Sequence, residues 1–184
     1  MLVSEDGKEI KRELYKSYLI LVRNLYQQSQ PDVVTPQMGA VRKRFLVGSI
    51  IFLGFAMEAF INDFGDMYID DFDELEQIDT LNKFLLFPRI ARENPSAIIK
   101  KGEATYSALK QLFKYRNYFV HYKPAFRGTN TNDERLYTEL NHPTVKELYG
   151  KMIKLLKLLN NHFKIFEDGD DWISGYSEEV NAGT

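Results

Sequence analysis

The sequence predicts an all-α fold with four main helices and one or two short ones. Apolar residues recur at intervals of three and four through most of the 184-residue chain, which is the period of one helix face. No alternating run of β-branched residues is long enough to indicate a sheet. The composition, 44% hydrophobic and 27% charged, is that of a globular protein. The length predicts one helical domain over residues 1–166 and an acidic, loosely held tail over residues 167–184.

The first two helices follow from the apolar spacing and from two prolines. The first helix is indicated by a stripe that ends before Pro31, made of Ile10, Leu14, Tyr18, Leu21 and Leu25. The second begins near Pro36, with Thr35 as its N-cap, and reaches about Tyr68. Because the second helix is apolar nearly all round, we expect it to be the longest and to lie at the centre of the bundle.

The second half of the chain predicts two more long helices. A short amphipathic piece over residues 81–87 should end at Pro88. The third main helix has an apolar stripe of Tyr106, Leu109, Phe113 and Val120 and should stop at Pro124. A polar stretch, residues 128–141, predicts a loop. The last helix should begin at His142, with Thr144 and Glu147 as a capping box.

The composition also limits the chemistry. The chain has no cysteine, which excludes disulfides, thiolate catalysis and cysteine-based metal centres. Its three histidines are His121, His142 and His162, too few for a histidine-rich metal centre, so we expect neither a metal nor a cofactor. The net charge of −2 gives no overall basic field, so any nucleic-acid surface must be local. Seven bases and a single acid do fall within residues 100–127.

Residues 45–60 form the one stretch that resembles a membrane span. It follows three basic residues at positions 42–44, but it is short of the roughly 20 residues that a span needs and is interrupted by Glu58. A buried central helix is the favoured interpretation, and a membrane-associated protein is the weakest alternative. The acidic N-terminus does not resemble a secretion signal, and we expect a cytoplasmic protein without a membrane partner.

The most suggestive motif is the segment Arg116-Asn117-Tyr118-Phe119-Val120-His121. Asn117 and His121 are four residues apart and share a helix face, whereas Arg116 and His121 differ by about 140°. Asn117 continues the apolar stripe of its helix, so we expect a buried amide. Glu58 or Asn62 on the central helix would be its partner.

Arginine and histidine together suit the cleavage of RNA. A histidine moves the proton of a ribose 2′-hydroxyl near neutral pH. An arginine stabilises the charge that develops on the phosphate oxygens. Since the nucleophile belongs to the RNA itself, neither a metal nor a protein nucleophile is needed. An arginine and a histidine at this spacing also occur by chance in many helices, and their role is then purely structural.

The motif, the segment around Glu58 and Asn62, and the helix order resemble the HEPN domain superfamily over about residues 8–166. Its hallmark is an arginine followed, after four to six residues, by a histidine, commonly with asparagine directly after the arginine; Arg116, Asn117 and His121 fit this pattern. The resemblance implies a helical bundle that forms homodimers and places Arg116 and His121 of both copies in one cleft. Many relatives are metal-independent endoribonucleases of toxin–antitoxin and other defence systems, whereas others are non-catalytic binding modules.

These considerations predict a metal-independent endoribonuclease with RNA as its substrate and an antitoxin or another protein as a possible separate partner. Arg116, Asn117 and His121 are the predicted catalytic residues. Lys114 and Lys123 are predicted to contact RNA phosphates, and Glu58 and Asn62 to form a supporting polar network. The alternative is a non-catalytic HEPN-like helical module that binds a protein or a nucleotide.

Overall fold

Helices account for the secondary structure of the described residues, which are 14–30, 39–91, 98–121 and 136–165 of a computed structural model. No strand occurs among them, which confirms the all-α prediction for this part of the chain. The helices are α1 (Leu14–Gln28), α2 (Gly39–Tyr68), α3 (Phe72–Leu75), α4 (Thr80–Ala91), α5 (Ala104–Val120) and α6 (His142–Phe163). The acidic tail predicted at residues 167–184 lies outside the described residues.

The central helix is α2, which packs against each of the other five helices. It is the longest of them at 30 residues, and apolar side chains on several of its sides are buried. The fully buried ones include Ile50, Leu53, Met57, Phe60, Ile61 and Phe64. A helix that is apolar nearly all round must be covered on all sides. The prediction of a long central helix is therefore confirmed.

The same helix is the one element of the described residues that is long and apolar enough to cross a membrane. Half of its most apolar window is buried inside the bundle by the neighbouring helices. Core helices of soluble proteins meet the same criteria of length and composition.

One helix end and one loop differ from the sequence prediction. Helix α4 continues through Pro88 to Ala91 instead of ending at Pro88. Pro88 is buried together with Phe84 and Phe87, and this burial offsets the one backbone hydrogen bond that proline cannot donate. The loop predicted at residues 128–141 contains a helical turn at 136–139, because Leu136 and Leu140 both enter the core.

The start of α6 is at His142 as predicted, but the capping group is a different one. The side chain of Asn141 accepts a hydrogen bond of 2.9 Å from the backbone N–H of Thr144. Asn141 is therefore the N-cap, with a proline in the first turn, and the predicted capping box of Thr144 with Glu147 is wrong. Glu147 instead forms an ion pair with Lys151, four residues further on.

His142 connects α6 to α1. Its Nδ1 lies 2.9 Å from the hydroxyl of Tyr26, and the two rings are in contact, with their centroids 4.0 Å apart and their planes tilted by 30°. Among the described residues its Nε2 has no hydrogen-bond partner, although it is buried. Burial lowers the pKa of His142, and the positive charges of Lys146 and Arg42 lower it further.

The lowered pKa predicts that the fold loses stability in mild acid. The unfolded chain takes up a proton on His142 below about pH 6.5, more readily than the folded chain does. The free energy of unfolding should therefore fall between pH 7.5 and pH 5.5, as measured by urea denaturation. In a His142→Gln variant this fall should be smaller. A His162→Gln variant, which changes an exposed histidine of the same helix, should retain the wild-type fall. Equal falls in all three proteins would contradict the prediction.

Candidate active site

Helix α5 packs tightly against the central helix where the stem of Arg116 crosses Gly54. A Cβ atom on Gly54 would lie 2.7 Å from Cγ of Arg116 and 3.0 Å from its Cβ. Glycine is required here because the stem of the arginine occupies the space that a side chain would take. Position 54 therefore sets how deeply Arg116 enters the groove between the helices.

The guanidinium of Arg116 is held from three sides. Its Nη2 donates to Oε2 of Glu58 at 2.7 Å, and its Nη1 donates to Oδ1 of Asn117 at 2.9 Å. Its central carbon lies 4.9 Å from the centre of the Phe55 ring, in reach of a cation–π interaction. The other oxygen of Glu58 accepts from the hydroxyl of Thr80 on α4 at 3.4 Å. Glu58 thus connects α2 to both α5 and α4.

This ion pair lies at the edge of the protein. The side chain of Arg116 is 17% exposed and that of Glu58 is 36% exposed. A guanidinium has five N–H groups, and the bonds to Glu58 and Asn117 use two of them. Arg116 therefore has a fixed orientation and still has donors for an anionic ligand.

Asn62 takes part in a second polar contact, with Lys83 of α4. The ammonium of Lys83 donates to Oδ1 of Asn62 at 2.7 Å, and the lysine is only 4% exposed. It lies 5.6 Å from the ring centre of Phe72 and 6.0 Å from that of Phe87. Burial lowers the pKa of Lys83, while the negative charges of Glu76 and Glu58 act in the opposite direction. Glu58 and Asn62 therefore take part in two separate polar contacts, the first with Arg116 and Thr80 and the second with Lys83.

The predicted burial of Asn117 is wrong. Asn117 is exposed, and Val120 of the predicted stripe is 40% exposed. The face that packs on the core is rotated from the predicted one, and Arg116 continues it after Leu109 and Phe113, at spacings of four and three. The inward polar residue of α5 is therefore the arginine. Asn117 supports it from the solvent side.

His121 lies at the C-terminal end of α5 with an exposed side chain. Its backbone N–H donates to the carbonyl of Asn117 at 2.9 Å, which closes the last turn of the helix. Among the described residues, the His121 ring and the Arg116 guanidinium make no hydrogen bond with each other. Lys114 is exposed on the same side of α5 as His121, and Lys123 lies outside the described residues.

The chemistry that these side chains offer is charge stabilisation and proton transfer. Arg116 presents a fixed cation, and the imidazole of His121 is open to solvent and can exchange a proton with a ligand. In the described part of the chain, no group of three histidine, aspartate or glutamate side chains is arranged to hold a metal ion.

The sequence analysis did not identify Lys83 or Thr80 as parts of the polar network. A signal for Lys83 was present, since a lysine occupies the apolar run Lys83-Phe84-Leu85-Leu86-Phe87. A charged residue in such a run needs a polar partner once the run is buried. The hydroxyl of Thr80 carried no comparable signal, because threonine is common at helix starts.

The chain was compared with models of protein families, with curated proteins and with solved structures, and none of these comparisons found a match.

The contact at Gly54 predicts that alanine substitutions at two glycines change the stability of the protein in opposite directions. Gly54→Ala should destabilise the protein by about 1–3 kcal/mol, because the new methyl group overlaps the stem of Arg116. Gly150→Ala is the matched control: Gly150 lies inside α6 and a Cβ there meets nothing within 4 Å. That variant should gain about 0.5–1 kcal/mol from helix propensity. Urea denaturation measures both, and a Gly54→Ala protein as stable as the Gly150→Ala protein would contradict the close approach.

Proposed function

We propose that this chain is a metal-independent endoribonuclease that works as a homodimer of the HEPN type. One observation supports the proposal most strongly. The guanidinium of Arg116 is fixed at the protein edge by Glu58, Asn117 and Phe55, five residues before the exposed His121. An oriented guanidinium can stabilise charge on a phosphate and an accessible imidazole can transfer protons, and both effects promote RNA cleavage without a metal.

The order of the helices agrees with this proposal. The long central helix α2 is followed by α4, which carries Lys83, and then by α5 with the arginine and histidine. This is the order on which the resemblance to the HEPN superfamily rests. The four long helices α1, α2, α5 and α6 would form its bundle.

In the proposed reaction the RNA supplies the nucleophile. His121 of one copy removes the proton from a 2′-hydroxyl, and the resulting oxygen attacks the neighbouring phosphorus. The bond from phosphorus to the 5′-oxygen breaks, and that oxygen takes a proton from water, while His121 later returns its own proton to solvent. The products are a 2′,3′-cyclic phosphate and a 5′-hydroxyl. Arg116 stabilises the charge on the phosphate oxygens, and Asn117 keeps the guanidinium in place.

A second copy is needed because of where the two side chains lie on α5. Arg116 faces the central helix and His121 projects into solvent, about 140° away around the helix. Two α5 helices that face each other would bring His121 of each copy near the phosphate bound by Arg116 of the other. Val120, which is 40% exposed beside His121, offers apolar surface for that contact. The proposed setting is a cytoplasmic toxin or defence system, with a separate antitoxin or other protein as its regulator.

A non-catalytic binding module is the second candidate, and the ion pair itself favours it. Glu58 neutralises Arg116 and joins α2 to α5, which is a sufficient structural reason for an arginine at this position. In this case Arg116 would stabilise the bundle, and His121 would be an ordinary surface residue.

Cleavage of single-stranded RNA in EDTA distinguishes the two candidates. His121→Ala should reduce the rate by about 100-fold or more, because it removes the group that transfers protons. Arg116→Lys should also reduce the rate strongly, because lysine keeps the charge but lacks the planar set of donors. The ends of the products, resolved by mass spectrometry, should be 2′,3′-cyclic phosphates.

His162→Ala is the control, since His162 is an exposed histidine of α6 outside the proposed site, and it should cleave at the wild-type rate. A mixture of His121→Ala and Arg116→Ala proteins should regain part of the activity, because mixed dimers contain one intact pair of residues. If wild-type and His121→Ala proteins leave the RNA equally intact, the nuclease proposal fails and the binding module becomes the better account.

A further inference from the structure

The side of α5 that faces away from the core carries a continuous line of polar residues. Ser107, Lys110, Lys114, Asn117 and His121 follow one another at spacings of three and four, which places them along one face. All five are exposed. Since a helix rises 1.5 Å per residue, the line runs about 16 Å from Lys110 to His121. We call this line of side chains the track: His121 lies at its C-terminal end, and the two lysines lie further along it.

An open groove of about 370 Å³ lies beside the lysine end of this track. The groove is lined by Gly102, Tyr106, Ser107, Lys110, Gln111 and Lys114. It combines two ammonium groups, a half-buried aromatic ring, a hydroxyl and an amide.

The charges of this groove are unusual for a purely structural surface. Lys110 and Lys114 are four residues apart on a helix, a spacing at which like charges repel each other. Among the described residues neither lysine forms an ion pair, and no acidic side chain lines the groove. Such a surface is complementary to a ligand that carries negative charges at regular intervals.

We propose that this groove binds the stretch of single-stranded RNA that lies next to the cleaved phosphate. Lys110 and Lys114 contact successive phosphates, and the ring of Tyr106 forms a surface on which a base can stack. The strand then continues along α5 past Asn117 to His121. This inference rests on the proposed nuclease function and assigns to it a substrate subsite outside the reacting residues.

Single-stranded RNA fits the groove better than an acidic peptide does. The track leads to the histidine, so a ligand bound along it is delivered to the proposed reacting group. An aromatic ring beside paired lysines is also the combination that nucleic-acid surfaces use, with stacking for bases and ammonium groups for phosphates. An acidic protein partner that occupies the groove instead is one outcome of the test below.

Binding is tested with a 2′-O-methyl oligonucleotide, which cannot be cleaved because it lacks the attacking hydroxyl. In fluorescence anisotropy, the Lys110→Ala/Lys114→Ala protein should bind about tenfold more weakly than wild type at 0.1 M salt. The slope of log affinity against log salt should become shallower by about 1.4, the contribution of two phosphate contacts to a single strand. The Lys151→Ala/Lys154→Ala protein is the matched control, because it loses the same charge from the outer face of α6.

A second measurement uses the absence of cysteine from the chain. Ser107→Cys places one nearly isosteric thiol in the groove, and Lys154→Cys places one on the outer face of α6. The oligonucleotide should slow alkylation of the thiol at position 107 by at least fivefold and leave the rate at position 154 unchanged. Equal affinities and salt slopes for the two double variants, with no protection at position 107, would overturn the groove proposal. An acidic partner protein would remain as the better occupant if the oligonucleotide fails to bind even to the wild type.

The two proposals fail in different ways. A wild-type protein that binds the oligonucleotide through the groove but leaves cleavable RNA intact would refute the nuclease function and retain the RNA surface. A protein that cleaves RNA, with equal affinity in both double variants, would refute the groove and retain the nuclease function.

Discussion

The ion pair between Glu58 and Arg116 is the contact on which the arrangement of the site depends. It crosses from the central helix α2 to α5 at 2.7 Å, one turn away from the close approach at Gly54. Glu58 also accepts from Thr80, so one carboxylate is shared between three helices. The side chain of Glu58 is 36% exposed, so the contact stabilises the bundle through charge-assisted hydrogen bonds and not by compensating a buried charge. Arg116 is therefore drawn toward α2, and this fixes the rotation of α5 about its own axis.

The rotation of α5 determines which residues remain outside. With Arg116 turned inward, the face that includes Asn117 and His121 is exposed, and the two lysines of the groove lie on the same side. The two sides of α5 therefore carry different groups. Its inner side fixes a guanidinium, and its outer side presents the imidazole and the basic track. The nuclease proposal and the groove proposal both depend on this division between inner and outer sides.

The sequence predicted the helices better than it predicted their contacts. The apolar run around Phe60 predicted that α2 reaches about Tyr68, where the helix ends, because an apolar pattern acts locally. The predicted start of this helix, with Thr35 as N-cap, lies outside the described residues. The rotation of α5 was predicted wrongly. A helix face that contains Asn117 and one that contains Arg116 differ by a single position in the sequence, and only the packing of the helix decides which of them faces the core. Glu58 and Asn62 were predicted as the polar partners of Asn117. Which side chains they actually contact, Arg116 or Lys83, depends on how α4 and α5 are placed in the fold.

A double-mutant cycle on Glu58 and Arg116 tests the central claim most directly. The free energies of unfolding of wild type, Glu58→Gln, Arg116→Gln and the double variant give the coupling between the two side chains. If the ion pair fixes α5, the coupling should be favourable and lie between about 0.5 and 3 kcal/mol. The double variant should then be destabilised by less than the sum of the two single variants. A coupling near zero would contradict the account, since Arg116 would then be free of Glu58 and the rotation of α5 would need another cause.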